Sequence, residues 1–197
     1  MLFPYLRQLA PAGALVLLSL GAGGANAATI AVIPDQQSYL VGSPVTVEVA
    51  VANVSDLYGF QFDLDFNPAV LQADTSSEGP FLATAGTTFF VPGANDNIAG
   101  TVLATADSLI GAIPGATGSG VLALFSFTAV SPGATDISLG NVQLLDSNLN
   151  ALDVTPVDAS ITVAPVPVPG SLLLLTSAVG LLGFALFRNP SVPNSNA

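Results

Sequence analysis

The sequence predicts an all-β protein built as an antiparallel sandwich of two sheets, and three observations support this prediction. Phe60, Phe62, Leu64 and Phe66 recur at every second position with polar residues between them, which is the period of a strand buried on one face. Strand-like segments of this kind follow one another with turn-forming residues roughly every ten positions. No convincing amphipathic helix separates them, so an antiparallel sandwich is favoured over βαβ units.

The chain begins with a segment, residues 1–27, that has the features of a secretory signal peptide. Arg7 gives a short positive region, residues 14–20 form an apolar run, and Ala25-Asn26-Ala27 is a small-x-small cleavage pattern. A buried helix is the alternative, which the glycines at positions 21, 23 and 24 disfavour. We expect cleavage after Ala27, so that the mature chain begins near Ala28.

The first half of the mature chain contains four predicted strands. Asn67-Pro68 ends the central phenylalanine strand, because proline lacks the N–H that a ladder needs. The predicted segments are a strand at 29–34, a turn at 41–44, a strand at 45–51, a loop at 53–57, the central strand at 58–66, a brief strand at 69–73 and a polar loop at 74–80.

The second half continues the same pattern. Residues 121–130 are nearly continuous in apolar and β-forming side chains, which is typical of a central strand buried on both faces. The other predicted segments are a hairpin of 87–91 and 98–106 around a turn at 92–97, a loop at 111–120, strands at 135–139 and 141–145, a turn at 146–150 and a last strand at 159–163. Roughly nine strands in two sheets would cover the phenylalanine face.

Composition excludes several classes of function for this domain. The sequence has no cysteine and no histidine, which removes disulfides, thiolate metal sites and the commonest general base. Lysine is absent, the two arginines lie near the ends, and all 13 acidic residues fall between Asp35 and Asp158. The middle of the chain therefore carries a formal charge of 0 − 13 = −13, so no nucleic-acid partner is expected.

Asp63 and Asp65 are the candidate catalytic pair. On one strand face they would be about 7 Å apart, which is compatible with a glycosidase carboxylate pair. Nothing in the sequence indicates a cleft that would keep one of them protonated. The favoured interpretation is a solvated acidic face, on which Asp63→Asn should change stability little, whereas Phe62→Ala should cost about 3–5 kcal/mol. No enzymatic activity is predicted.

Two acidic turns are candidate calcium sites. Asp146, Asn148 and Asn150 have the spacing that begins a calcium loop, but Ala151 replaces the required glycine and Val157 replaces the bidentate glutamate. Asp96, between Asn95 and Asn97, raises the same question. Hairpin turns are the favoured interpretation, so no cofactor is expected and Ca²⁺ remains the alternative.

Several segments, in order, resemble a cohesin domain. Residues 59–71 resemble its strand and Asp-Pro-x-x-Leu turn, 41–47 its early Val-Gly segment, 120–132 its long apolar strand, and 146–163 its closing hairpin. The resemblance spans residues 29–163. It implies a nine-stranded, jelly-roll-like sandwich, a non-catalytic role, and association with carbohydrate-processing or surface-scaffold proteins, classically by docking a dockerin module.

The resemblance also indicates partner-binding positions. Outward positions that carry asparagine and aspartate in dockerin-binding members correspond here to Gly59 and Gln61, and with Asp63 and Asp65 these form the candidate partner-binding set. Because the first two positions depart from the family pattern, the partner is expected to be an unidentified protein or a polysaccharide, with a dockerin-like module as one possibility.

The C-terminal end resembles a PEP-CTERM sorting signal, which an exosortase-type enzyme processes. Residues 164–170 form a proline-rich linker, 171–187 are apolar and uncharged, Arg188 follows, and 189–197 form a polar tail. The matching positions are Pro167, Pro169 and Arg188, while Val168 stands where the family motif has glutamate. A run of this length is just long enough to cross a thin bilayer, so a membrane anchor over 171–188 is favoured over a buried core helix.

Together these features predict an exported, cell-surface, non-catalytic module of a Gram-negative bacterium that binds a protein or polysaccharide. One alternative is a direct carbohydrate-binding module, for which Tyr39, Tyr58 and either Phe89 or Phe90 are the candidate exposed aromatics. A Ca²⁺-dependent surface adhesin is the other.

Overall fold

A computed structural model describes residues 27–167, which form ten strands and one short helix. The strands are β1 Thr29–Pro34, β2 Ser38–Leu40, β3 Pro44–Asp65, β4 Leu71–Glu78, β5 Ala94–Asp96, β6 Thr101–Ser108, β7 Ala116–Ala129, β8 Gly133–Asp146, β9 Thr155–Val157 and β10 Ala159–Ala164, and the helix is α1 Pro80–Ala83. The predicted signal peptide, the membrane segment, Pro169 and Arg188 lie outside the described residues. Among residues 27–167, no helix has the length and hydropathy needed to span a bilayer.

The strands form the predicted sandwich, and β3 runs through both layers. Its first half pairs with β1 and β7, and its second half pairs with β6 and β8. One layer therefore has the order β4-β7-β3-β1-β9, and the other β5-β6-β3-β8-β10-β2. The pairing is antiparallel except for β1 with β9 and β10 with β2, which are parallel.

The loop predicted at residues 53–57 is wrong, because these residues lie within β3. Asn53 and Asp56 have positive φ angles of 58° and 61°, and the register with β7 shifts around them. Asparagine and aspartate tolerate this left-handed conformation better than other residues with a side chain. The strand can therefore bend from one layer into the other without ending.

The predicted phenylalanine face forms the centre of the core. Phe60, Phe62, Leu64 and Phe66 are all buried. Phe62 contacts Phe125 with ring centroids 6.1 Å apart, and Phe66 meets Phe127 edge to face at 5.2 Å. Asn67 ends the strand as predicted, since its carbonyl accepts from the amides of Val70 and Leu71.

Several predicted boundaries differ from the structure because pairing partners extend the strands. The predicted loop at 74–80 continues β4 to Glu78, which pairs with Ala123, and the predicted loop at 111–120 already belongs to β7 from Ala116. Strands predicted at 135–139 and 141–145 are one strand, β8. The short helix α1 was not predicted. It follows Gly79, where a Cβ atom would lie 2.3 Å from the Val121 carbonyl oxygen.

Candidate functional site: the outer face of β3, β6 and β8

The candidate partner-binding strand forms the middle of an exposed surface, the outer face. Across β3, Gly59 aligns with Ser108 on β6 and with Leu145 on β8, and Gln61 aligns with Ala106 and Gln143. Val91 forms an isolated bridge with Ala106 on the far side of β6. We define the outer face by Gly59, Gln61, Phe89, Val91, Ala106, Ser108, Gln143 and Leu145, which line a shallow groove of about 220 Å³ together with the buried residues Phe60 and Asp107.

The outer face is apolar at its edge and polar in its middle. Phe89 is 64% exposed and Val91 is 40% exposed, although both backbones are held by hydrogen bonds to β6. Gln61 and Gln143 are exposed and lie directly opposite each other on β3 and β8. Gly59 has no side chain, so the floor of the groove is open at this position. A larger residue would be crowded, because its Cβ would lie 3.2 Å from the Asp107 carbonyl oxygen. The face can therefore accept a complementary surface with apolar and hydrogen-bonding groups.

Asp63 does not face water, so that prediction is wrong. Its side chain is only 9% exposed. Oδ1 accepts from the Ala104 amide at 2.7 Å, and Oδ2 accepts from Asn141 Nδ2 at 2.5 Å. Ala104 and Asn141 both have positive φ, 56° and 49°, and the register shifts beside Asp63 on both neighbouring strands. The carboxylate therefore holds two β-bulges, one on each side of β3.

Asp65, two residues further along β3 at the end of the strand, is exposed, unlike Asp63. It lines an open depression with Asn67, Asp136 and Ser138, and its Oδ2 lies over Gly140. With Asp63 enclosed in the sheet and Asp65 at the surface, the two carboxylates do not face a common cleft. The arrangement gives no support to glycosidase chemistry at this pair.

The two candidate calcium turns use their oxygens internally. Asp146 accepts from the amides of Asn148 and Asn150 and from Asn150 Nδ2, and the bond from the Asn150 side chain is the main reason that its pKa is lowered. Asp96 accepts from the amides of Ile98 and Ala99, which lower its pKa. Within residues 27–167, no three or more aspartate or glutamate side chains converge as a metal-binding group.

The candidate exposed aromatic residues differ in how far they are exposed to solvent. Tyr39 is 4% exposed, so its prediction as an exposed aromatic is wrong; its hydroxyl donates to Asp35 Oδ1, and burial followed by this bond raises the tyrosine pKa to about 12. Tyr58 and Phe90 are half-buried against the core, and the Tyr58 hydroxyl donates to the Gly111 carbonyl. Phe89 is the exposed aromatic of this set.

Sequence reasoning missed a second acidic group, at Asp107 and Glu78. Asp107 is 2% exposed and faces the core opposite Phe60. Burial, and next the charge of Glu78, raise its pKa to about 6. The bulge at Ala104 changes which residues of β6 face inward, so simple alternation along the sequence does not reveal this position. The signal for this position would be an aspartate at an inward-facing position of a strand. It can be recognised only after the bulge at Ala104 has been located.

Comparison with known proteins places this fold. The model of the family described as Cohesin domain matches residues 30–163, and no curated protein matches the sequence. A non-cellulosomal cohesin from the archaeon Archaeoglobus fulgidus is 15% identical, with a TM-score of 0.54 over 70% of this chain and 91% of that one. The second type II cohesin module of the ScaA scaffoldin of Acetivibrio cellulolyticus is 18% identical, with a TM-score of 0.61 over 71% and 99%.

A third similar structure is a type II Cohesin-X-Dockerin complex, also from Acetivibrio cellulolyticus. It is 17% identical, with a TM-score of 0.58 over 70% of this chain and 99% of that one. At these identities the similarity is one of fold.

Proposed function

The chain belongs to the cohesin domain family, and from this premise we propose that it is a non-catalytic module that binds a protein partner through the outer face. Cohesin domains are non-catalytic interaction modules. Some similar structures are complexes of a cohesin with a dockerin, so a dockerin-like module is the first partner to test. We also propose that the module is exported and displayed at the cell surface, anchored by residues 171–188.

The observation that carries this proposal is the chemistry of the outer face. The charged residue that lines its groove, Asp107, is only 2% exposed, so the exposed part of the outer face carries no charged side chain, although the domain has 13 acidic residues. Phe89 and Val91 stay exposed at its edge. Exposed aromatic and aliphatic side chains next to uncharged polar groups are typical of the centre of a protein interface. A partner that covers Phe89 would remove a large apolar side chain from water.

A glycan is the second candidate ligand of the same groove. The Phe89 ring and the amides of Gln61 and Gln143 line one depression. A ring that stacks on a sugar, with amides that hydrogen-bond to its hydroxyls, is a workable carbohydrate site. The groove is shallow and offers one exposed aromatic, so the protein partner is favoured.

A matched pair of substitutions tests the surface. Gln61 lies on the outer face, and Gln72 is an exposed residue of β4 in the other layer. Binding of the purified chain to dockerin modules, and to secreted proteins and polysaccharides of the source organism, is measured by titration. We expect Gln61→Arg and Phe89→Asp to weaken binding at least about tenfold, while Gln72→Arg leaves it unchanged.

The outcome separates the ligand classes. Binding of a protein, lost in the two outer-face variants alone, supports the proposal. Binding only to polysaccharide, with the same variant pattern, favours the glycan. If Gln72→Arg weakens binding as much as Gln61→Arg, or neither has an effect, the outer face is not the binding surface.

Export is tested separately. N-terminal sequencing and fractionation of a tagged chain should show a product that begins after Ala27 and remains with membranes. A soluble cytoplasmic product that begins at Met1 would contradict this part of the proposal.

A further inference from the structure

Two buried oxygen atoms on the inner side of β6 have no hydrogen-bond partner. They are Oδ2 of Asp107 and Oγ1 of Thr105, and they are the unpaired buried side-chain oxygens found within residues 27–167. Asp107 is 2% exposed and Thr105 is fully buried. An unpaired buried polar group is costly, and a carboxylate oxygen more so than a hydroxyl. A buried carboxylate without a partner for one oxygen therefore points to a missing positive group.

A second carboxylate lies against this position. Glu78, at the end of β4, lies near Asp107, and its negative charge helps to raise the pKa of that carboxyl group. Glu78 Oε1 also accepts from the Thr88 hydroxyl at 2.6 Å. Two carboxylates therefore face each other in a mostly enclosed place. Residues 28–163 contain no lysine, arginine or histidine, so no side chain of the domain can supply the counter-charge.

We propose that Glu78, Asp107, Thr88 and Thr105 form a binding site for one Ca²⁺ ion. All four offer oxygen, which is the ligand that hard divalent cations prefer. Two carboxylates neutralise one divalent charge. Thr105 and Asp107 are two positions apart on the inner face of β6, so their unpaired oxygens belong to the same side of the strand.

The exposure of the four residues indicates how the ion would enter. Glu78 is half-buried, unlike Asp107 and Thr105, so it forms the side of the site that opens to solvent. Water can complete the coordination there. Four protein oxygens and water make a modest ligand set. We expect a dissociation constant in the range of extracellular Ca²⁺-binding modules, roughly 0.1–1 mM.

The site would fix a segment of the outer face. Thr88 precedes Phe89 and forms an isolated bridge with Leu109, while Glu78 belongs to a strand of the other layer. An ion held by both layers would tie the segment that carries Phe89 to the body of the sandwich. Ca²⁺ binding does not depend on the proposed partner, so the two proposals can fail separately.

Thermal unfolding of the purified full chain tests the site. CaCl₂ is titrated against NaCl and MgCl₂ at matched ionic strength. We expect a saturable, Ca²⁺-specific rise in the unfolding midpoint, since a ligand that binds only the folded state stabilises it by mass action. Asp107→Asn and Glu78→Gln should abolish the rise. Asp146→Ala, in the turn with a calcium-like sequence, should retain it.

Calorimetric titration of Ca²⁺ gives a second measure, with an expected stoichiometry of one. If Asp107→Asn does not fold, the same titration of Glu78→Gln still tests the site, because this substitution alters a half-buried side chain and should leave the fold intact. The proposal is overturned if all cations shift the midpoint equally, or if the Ca²⁺ effect survives Glu78→Gln or disappears in Asp146→Ala. It is also overturned if acidification stabilises the chain but Ca²⁺ does not, because the two carboxyl groups would then share a proton.

Discussion

At the scale of single residues, the exposure of a carboxylate depends more on its neighbours in the sheet than on its place in the alternating sequence pattern. Asp63 and Asp65 occupy equivalent polar positions in the sequence, yet Asp63 is enclosed by two bulges and Asp65 is exposed. Each oxygen of Asp63 accepts from a donor of a different neighbouring strand. Asp63 is therefore a structural residue of the sheet that carries the outer face.

Asp63→Asn should destabilise the chain by about 1–3 kcal/mol, because one carboxylate oxygen becomes an NH₂ group that cannot accept from its donor. Asp65→Asn is the matched control and should stay within about 0.5 kcal/mol of the parent chain. Denaturant titration of both variants measures the difference. Equal effects would mean that the two bulges do not depend on the Asp63 carboxylate.

Asp107 gives the protein an unusual pH dependence. Its folded-state pKa is raised to about 6 from an ordinary value of 3.8, so the folded state binds more protons than the unfolded state between these values. The stability that this group contributes is complete below about pH 4 and is lost as the pH rises through 6. Asp35, Asp56, Asp96 and Asp146 have lowered pKa values and contribute in the opposite direction, losing stability on acidification.

Asp107→Asn should therefore raise the unfolding midpoint at pH 7 and flatten the stability profile between pH 4 and 6. The profile is measured by thermal unfolding in a chelator, so that no metal ion contributes. Asp153→Asn, at an exposed position of the β8–β9 connection, is the control and should follow the parent. A parent profile that rises steadily from pH 4 to 7 would contradict the assignment.

At the scale of elements, the long strand β3 organises both layers, and Asp56 fixes the point where it bends. Oδ1 of Asp56 accepts from the Gly115 amide at 2.6 Å, and Oδ2 accepts from the Ser147 hydroxyl at 2.6 Å. Its own amide donates to Thr117 Oγ1. One residue thus joins the bend of β3 to the start of β7 and to the turn after β8.

Asp56→Ala should loosen these two distant segments together. Hydrogen exchange is the suitable measurement, since the amides of Gly115 and Ser147 lose their acceptor and should exchange faster. Amides in the core pairing of β3 with β7, such as Val47, should keep their protection. If only the amides next to residue 56 change, the carboxylate does not couple the two segments.

At the scale of the whole molecule, the domain has no basic side chain to offset its acidic residues. Between residues 28 and 163 every ionisable side chain that is charged at neutral pH is negative. Repulsion among these carboxylates is opposed by burial of the core and by local hydrogen bonds rather than by salt bridges. The fold is therefore sensitive to screening.

Raising NaCl from low to moderate concentration should increase the unfolding midpoint and then level off as screening saturates. The measurement is thermal unfolding at neutral pH across a salt series. Sodium sulfate at the same ionic strength is the comparison, because sulfate also strengthens apolar burial. An additional rise of the midpoint in sulfate measures that effect separately from screening. A midpoint that falls with NaCl would show that repulsion between the carboxylates does not limit stability.

The sequence by itself determined the class of fold and its core. Alternating side chains identify the buried face of Phe60, Phe62, Leu64 and Phe66, because a strand has a period of two and an apolar face must be covered. It also determined the turns at residues 41–44 and 146–150, whose Gly, Pro, Asn and Asp residues act through local backbone conformation. The resemblance of ordered segments identified the cohesin family, which the family match confirms.

Only the tertiary structure decided where strands continue and which polar groups are enclosed. Residues 53–57 and 74–80 look like loops, yet a neighbouring strand pairs with residues of both segments and continues the ladder through them. Bulges at Ala104 and Asn141 enclose Asp63, and the bulge at Ala104 also changes which β6 residues face inward, so that Asp107 is buried. A bulge depends on the strand across from it, and that partner is distant in sequence, so local pattern cannot show it.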